Sequence, residues 1–181
     1  MNVWRSKSLW PAFAPDMLNI VLYEPEIPYN TGNIGRTCVA TGCRLHLIKP
    51  LGFSLDQKEI RRAGLDYWPR LDHIEYEGFE DFLEKNSHPK IWMATTKAHK
   101  VYSDVSYSDG DYIMFGPESR GIPEEILVDR EEECIRIPMI DGERSINLCN
   151  SVSIVLFEAL RQMDFAGLEK SGELHRLKWK E

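Results

Sequence analysis

The chain alternates short strand-like runs with segments of helical character, and this alternation constrains its fold more than any other feature. Four runs read LNIVLY at 18–23, RLHLI at 44–48, IWMAT at 91–95 and YIMF at 112–115, and a shorter one covers 134–137. Continuous apolar runs of this length are typical of strands buried on both faces, as in a parallel sheet. Because helical segments lie between the runs, the sequence predicts an α/β fold with a mostly parallel sheet flanked by helices.

Helix signals occupy the intervals between these strands. Asn30 or Thr31 is expected to cap a first helix that runs through Ala40 and stops at Gly42. Further helices are predicted over 54–63, where Ser54 and Gln57 form a capping-box pattern, over 79–85 and over 123–128.

The stretch from 134 to 163 combines a strand, a polar loop and a long helix. Its apolar start ends at Pro138, and the polar residues 141–145 follow. From Asn147 onward, apolar residues recur at helical spacing, so one side of this helix is predicted to be apolar. Ser and Asn side chains can cap its first turn, whose partial positive charge suits a ligand. A plain strand, loop and core helix explains the same pattern.

Composition limits the class of protein. The chain has 181 residues, of which 43% are hydrophobic, and a net charge of −7. This length suits one domain, and its acidity means that any nucleic-acid contact requires a local basic patch. Arg61, Arg62 and Arg70 form one such cluster, or else a solvated face.

The cysteines and histidines argue against a metal or disulfide framework. The four cysteines form no Cys-x-x-Cys pair, and the five histidines are scattered. We therefore expect reduced core thiols in a cytosolic protein and no metal site. No apolar run approaches the roughly 20 residues needed to span a membrane.

The domain organisation follows from these patterns. Residues 1–16 have no clear period and are predicted to be a loose N-terminal extension. Residues 17–165 are predicted to form the single domain, and 166–181 a charged tail that frays.

Ligands of open α/β sheets bind beyond the carboxyl ends of the strands, and three polar loops follow such ends here. The first carries Asn30, Asn33 and Arg36, three residues apart. On a helix these are predicted to share one face, with two amides and a guanidinium suited to phosphate and ribose oxygens. A capped helix with a solvated arginine is the plain alternative. Gly32 and Gly35 match part of a dinucleotide fingerprint, but the complete Gly-x-Gly-x-x-Gly is missing.

The second loop covers 116–121 and has glycine at both ends, which permits backbone angles closed to other residues. Glu118 and Arg120 are expected either to pair with each other or to face a substrate. The third loop carries Arg144, Ser145 and Asn147. A tight strand-to-helix turn is the commoner explanation of one such loop, but three in a small domain exceed what turns require.

Together these residues resemble the three motifs of the SPOUT RNA methyltransferases. The motifs are Asn30-x-x-Asn33-x-x-Arg36, then GPESRG at 116–121, then Ile137-Pro138-Met139 with RSINL at 144–148. The segments LNIVLYEPEIPYNTGNIGR and RRAGLDYW are similar to the small, single-domain group that methylates the ribose of the tRNA wobble nucleotide. The resemblance spans about 17–163, and the order of the three motifs makes it specific.

The resemblance implies a fold and a cofactor that periodicity could not reveal. The family fold ties the C-terminal part of the sheet domain into a deep trefoil knot. S-adenosylmethionine is expected to lie bent in this knot, held largely by backbone groups. The matching cofactor-binding positions are Ala94, Gly116, Ile137 and Ser145.

The resemblance also implies roles for the polar residues. Arg36 would be the catalytic residue, beside the ribose 2′-hydroxyl. Because a guanidinium is very hard to deprotonate, we expect it to orient the hydroxyl and stabilise oxyanion charge rather than act as a base. The remaining polar positions are expected to brace the site or bind substrate: Asn30, Asn33, Glu118 and Asn147 as braces, and Arg120 and Arg144 as contacts to RNA phosphate.

The implied partners are tRNA and a second copy of the chain. The substrate would be nucleotide 34, a cytidine or modified uridine, of leucine tRNAs, in the cytoplasm. The dimer contact would lie on the final helix and include Phe157. Alternatives are the same chemistry on another tRNA or rRNA nucleotide, a non-catalytic module that binds RNA or the methyl donor and, more distantly, a nicotinamide oxidoreductase.

Overall fold

A seven-stranded parallel sheet forms the centre of the molecule. The computed structural model describes residues 18–55 and 67–180. The strands are β1 (Asn19–Tyr23), β2 (Arg44–Ile48), β3 (His73–Tyr76), β4 (Ile91–Ala94), β5 (Lys100–Val101), β6 (Tyr112–Phe115) and β7 (Cys134–Arg136). Their order in the sheet is β3-β2-β1-β6-β4-β7-β5, and every paired neighbour is parallel. The predicted α/β class is confirmed.

Within the described residues, four α-helices connect and cover these strands. They are α1 (Pro28–Thr41), α2 (Phe79–Lys85), α3 (Glu124–Leu127) and α4 (Leu148–Gln162), with short 3-10 turns at Trp68–Arg70 and Glu131–Glu133. The predictions for residues 1–16, for most of the helix over 54–63, and for Arg61 and Arg62 lie outside the described residues.

Helices cover both faces of the sheet because successive strand residues point to opposite sides. Ile20 and Leu22 of β1 lie in one buried cluster, which also includes apolar residues of α1 and α4. Val21, between them, lies in a second cluster with Phe82 of α2 and Leu127 of α3. The apolar runs of the sequence are therefore strands that are buried on both faces, as predicted.

The start of α1 differs from the sequence expectation. The helix begins at Pro28, and Ile27 occupies the N-cap position without a side-chain capping bond. Pro28 suits the first turn because its fixed φ is already helical and its missing N–H needs no partner there. Asn30 and Thr31 consequently lie inside the helix, so the prediction that one of them caps it was wrong. The predicted end is confirmed, since Gly42 adopts φ 74°.

Helix α4 begins as predicted. The Asn147 side chain accepts hydrogen bonds from the backbone N–H groups of Cys149 (2.9 Å) and Asn150 (3.4 Å). Its apolar side packs into the same cluster as α1, through Leu148, Val152, Val155, Leu156, Ala159 and Leu160. This packing sets the first turns of α1 and α4 next to each other at the edge where the strands end.

The strand order decides which loops can meet. Strands β6, β4 and β7 are neighbours, so their carboxyl ends lie side by side at one edge of the sheet. The trefoil knot stays a prediction from the family resemblance. No helix within the described ranges is long and apolar enough to cross a membrane.

Candidate active site

Three of the predicted cofactor positions lie on the adjoining strand ends. Ala94 ends β4 and is paired with Phe115 of β6 and Ile135 of β7. Gly116 directly follows β6, and Ile137 follows β7 by one residue. All three are half-buried, so this edge offers backbone groups and small apolar walls together.

The loop over 116–121 is closed tightly by its two glycines. A Cβ on Gly116 would lie only 2.2 Å from the Gly121 carbonyl carbon and from the Ile122 nitrogen. Gly121 adopts φ 72° and donates its N–H to the Pro117 carbonyl at 2.9 Å. A side chain at Gly116 would force a backbone shift, and one at Gly121 would be strained by its left-handed conformation. The loop therefore holds Glu118 in a defined place.

Glu118 bonds to the start of α1. Its carboxylate accepts hydrogen bonds from the backbone N–H groups of Glu26 (2.9 Å) and Ile27 (3.3 Å) and from Asn30 Nδ2 (2.8 Å). The carboxylate thus satisfies the backbone N–H groups of the two residues that precede α1. A negative charge at this end of a helix is also favourable to the helix dipole.

Asn30 joins the first loop to the third as well as to the second. Its Oδ1 accepts a hydrogen bond from Asn147 Nδ2 at 3.3 Å, and the Cys149 thiol lies at the same distance from it. Asn30 is only 7% exposed, whereas Asn147 is exposed, so these bonds lie at the boundary between the interior and solvent. We call Asn30, Glu118 and Asn147 the Asn30 junction. It connects the three predicted loops through one side chain.

A second set of contacts ties the same two segments together. The Glu26 carboxylate accepts bonds from the Ser119 N–H (2.9 Å) and hydroxyl (2.7 Å), and these bonds lower the pKa of Glu26. Arg120 pairs with Glu24. Glu118 and Arg120 therefore bind the β1–α1 connection. They do not form the pair with each other that was the first of the two expectations.

Asn33 and Arg36 lie on the outer side of α1. Both are exposed, whereas Asn30 is buried. The prediction that all three share one face was wrong for Asn30. A step of three residues falls about 60° short of a full turn, so two such steps separate Asn30 from Arg36 by about 120° around the axis.

Tyr67 supports Arg36 from beneath. The guanidinium carbon lies 4.8 Å from the centre of the Tyr67 ring, a cation–π distance. The Tyr67 hydroxyl donates a hydrogen bond to the Gly32 carbonyl, which fixes the ring against α1. Arg36 thus presents its charge to solvent from a braced position.

The third loop places Arg144 and Ser145 in solvent. Both are exposed, two to three residues before the capping residue Asn147. Gly142, with φ 87°, turns the chain ahead of them. The structure brings this loop to the Asn30 junction through Asn147.

Sequence reasoning missed Glu24, Glu26, Tyr67 and Cys149 as parts of this region. Glu26 meets a partner 93 residues away, so no local pattern reports the contact. Burial raises the pKa of the Cys149 thiol, which keeps it protonated. Within the described ranges, no group of three His, Cys, Asp or Glu side chains could hold a metal.

Comparison with known proteins agrees with the resemblance seen in the sequence motifs. The model of the SpoU rRNA Methylase family matches residues 17–157. The tRNA (cytidine(34)-2'-O)-methyltransferase of Escherichia coli is 53% identical over 152 residues, which cover 83% of this chain and 97% of that protein.

Solved structures agree with the match. One concerned with the 2-OH methylation of C/U34 on tRNA has a TM-score of 0.77 and 43% identity, covering 83% of this chain and 99% of that one. An AdoMet-bound rRNA methyltransferase from Sinorhizobium meliloti shares the fold at TM-score 0.71 and 24% identity, covering 83% of this chain and 58% of that one. The sequence, the fold and the convergence of the three loops lead to one conclusion: the chain belongs to the SpoU rRNA methylase family.

Proposed function

We propose that this protein methylates the ribose 2′-hydroxyl of nucleotide 34 in tRNA, a cytidine or a modified uridine, with S-adenosylmethionine as the methyl donor. The observation that carries the proposal is the Asn30 junction, which gathers three loops at the start of the helix that carries the exposed, braced Arg36. Relatives with the same span and about half identical residues bear the name of this activity. Leucine tRNAs are the proposed substrates.

The residues at the strand ends fit the proposed cofactor. Ala94 lies between the Gly116 backbone and Ile137 along the row of strand ends, and both Ala94 and Ile137 supply small apolar surfaces there. An adenine ring requires apolar walls and hydrogen bonds at its edge, which backbone groups provide. Ser145 would contact the donor from the third loop. When bound, S-adenosylmethionine supplies a methyl group activated by a neighbouring sulfonium.

Arg36 would act on the substrate side. Its guanidinium donates hydrogen bonds to the ribose 2′-hydroxyl and to an adjacent phosphate, which aligns the oxygen for attack. As the hydroxyl loses its proton, the fixed positive charge stabilises the developing oxyanion. The guanidinium does not itself take the proton, because it remains charged at any physiological pH. The Asn30 junction positions α1, and hence Arg36, relative to the cofactor loops.

Phosphate binding would come from a few local cations, since the chain is acidic overall. Arg144 is exposed in the third loop and is the first candidate. Arg120 already pairs with Glu24, so its guanidinium would have to bind Glu24 and an RNA phosphate at the same time. Removing a phosphate contact lowers the salt dependence of tRNA binding by about one unit of slope, so Arg144→Ala tests the assignment.

A homodimer is proposed through α4. Phe157 lies on this helix and is 47% exposed, although its neighbours Val155 and Leu156 are buried. Sedimentation of Phe157→Glu should give monomers where the wild type gives dimers, and an unchanged dimer would place the interface elsewhere. The trefoil knot and a cytoplasmic location are part of the same proposal, the latter supported by the free cysteines.

The test is mass spectrometry of tRNA nucleosides from a strain that lacks the gene. Loss of the 2′-O-methyl group at nucleotide 34, restored by the wild-type gene, is the expected result. Loss at another tRNA or rRNA position would keep the chemistry but change the substrate. An unchanged modification profile would contradict the proposal and favour a non-catalytic binding module.

A further inference from the structure

We propose that Tyr29 is a stacking platform for an unpaired base of the RNA substrate, adjacent to the nucleotide that is methylated. This inference rests on the proposed function, because it assumes that the exposed face of α1 receives RNA. It assigns a role to a residue that lies outside the three motifs. The occupant is one nucleobase of a single-stranded region such as an anticodon loop.

Tyr29 is an unusually exposed aromatic residue. Its exposed fraction is 75%, compared with 47% for Phe157 and 66% for Trp179. Within the described part of the chain, its ring has no aromatic or cationic partner. Ile27, two residues earlier, is 44% exposed and adds apolar surface next to it. A large ring left open beside a proposed active site is suited to contact with a substrate.

Helical geometry aligns Tyr29 with the proposed catalytic residue. Tyr29, Asn33 and Arg36 occupy positions i, i+4 and i+7 of α1, within an arc of about 60°. The three side chains therefore form one exposed stripe, about 10 Å long along the helix axis. Asn30 lies outside this stripe, because it turns inward to Glu118 and Asn147.

The stripe has the chemistry of a nucleotide-binding surface. An aromatic ring stacks on the face of a base, an amide bonds to a base edge or a ribose, and a guanidinium bonds to phosphate. The end of α1 is not itself a free anion site, because the Glu118 carboxylate already accepts bonds from the Glu26 and Ile27 N–H groups. The side chains, rather than the helix end, thus define the surface.

The test compares Tyr29→Ala and Tyr29→Phe in methylation of full-length tRNA. Base–aromatic stacking has a value that corresponds to a change of about tenfold or more in affinity. We expect Tyr29→Ala to raise KM for tRNA about tenfold with kcat within about twofold, and Tyr29→Phe to behave as the wild type because the ring remains. Trp179→Ala is the matched control for removal of an exposed aromatic, and should leave KM unchanged.

A second measurement locates the base. Kd is measured for tRNAs that carry a single abasic site at successive anticodon-loop positions. One such site should weaken wild-type binding about tenfold and have little further effect on Tyr29→Ala. A wild-type KM in Tyr29→Ala, or a loss in that variant that accompanies a changed oligomeric state, would overturn the inference. Failure of the wild-type protein to methylate tRNA would instead overturn the proposed function.

Discussion

Two polar clusters in this molecule each have a buried polar residue at their centre but differ in their surroundings. The first is the Asn30 junction at the carboxyl edge of the sheet. The second is the His46 network inside the fold, in which His46 Nδ1 lies 2.7 Å from the Tyr76 hydroxyl and Nε2 lies 3.0 Å from Asn19 Oδ1. Asn86 extends it by bonds to the hydroxyls of Tyr76 and Tyr112, both at 3.1 Å.

The difference lies in what each cluster borders. His46 is fully buried and packed against the rings of Tyr76, Phe82 and Tyr112, so its bonds serve only the protein. The Asn30 junction connects residues 88 and 117 positions apart and fixes the helix that also carries the exposed Arg36. A buried polar network alone therefore does not identify a site. A site is indicated when such a network positions an exposed side chain whose chemistry suits a ligand.

Arg36→Ala should produce the largest effect and separate activity from stability. Loss of a donor that stabilises a developing oxyanion lowers kcat by about 100- to 1,000-fold. The free energy of unfolding should change by only about 1 kcal/mol, because Arg36 is exposed and the change removes its cation–π contact with Tyr67. Single-turnover methylation and urea unfolding measure the two quantities.

Arg36→Lys sharpens this prediction. A lysine keeps the charge but lacks the planar fork that reaches a hydroxyl and a phosphate at once. We expect most of the activity to be lost. Nearly intact activity would contradict the orienting role assigned to the guanidinium.

His46 should affect stability in acid without affecting catalysis. Burial lowers the pKa of His46 from 6.5 to about 4, so the folded protein holds it neutral while the unfolded chain protonates below 6.5. The unfolded state then binds more protons between pH 6.5 and 4, and stability falls as the pH falls through this window. The loss attributable to His46 is about 3 kcal/mol.

The measurement is urea unfolding at pH 7 and pH 4.5 in the wild type and in His46→Gln. The variant has no group to titrate at this position, so its stability should fall less on acidification. Equal losses in the two proteins would show that other groups control the acid response.

Asn30→Ala should lower both stability and activity. The change removes the hydrogen bonds of the buried Asn30 to Glu118 and Asn147, which costs about 2 kcal/mol. Activity should fall about tenfold, because α1 no longer holds Arg36 in register with the cofactor loops. Wild-type stability in this variant would show that the junction does not brace the site.

A smaller stability effect than that of Asn30→Ala is expected for Asn33→Ala, three residues along the same helix. Asn33 is exposed and its side chain hydrogen-bonds to the Cys149 thiol, so the free energy of unfolding should change by only about 0.5 kcal/mol. Binding of tRNA should weaken severalfold if its amide contacts the substrate. A loss of stability equal to that of Asn30→Ala would remove the distinction between the two faces of α1.

The sequence predicted the strands and most helices well because their signals are local. The run YIMF and the cap at Asn147 both identify elements whose bounds the structure confirms within one or two residues. The inward turn of Asn30 was not predictable, since it depends on a helix start set by Pro28 and on a partner, Glu118, 88 residues away. The adjacency of β4, β6 and β7 is likewise a property of the whole sheet. The prediction that the three loops form one site came from the family resemblance rather than from periodicity.

The most direct test is methylation by the purified protein of two leucine tRNAs that differ in one atom. One carries the ordinary ribose at nucleotide 34, and the other carries 2′-deoxyribose there. With S-adenosylmethionine present, one methyl group should be transferred to nucleotide 34 of the first tRNA and none to the second. Equal methylation of both tRNAs, or none of either, would contradict the account.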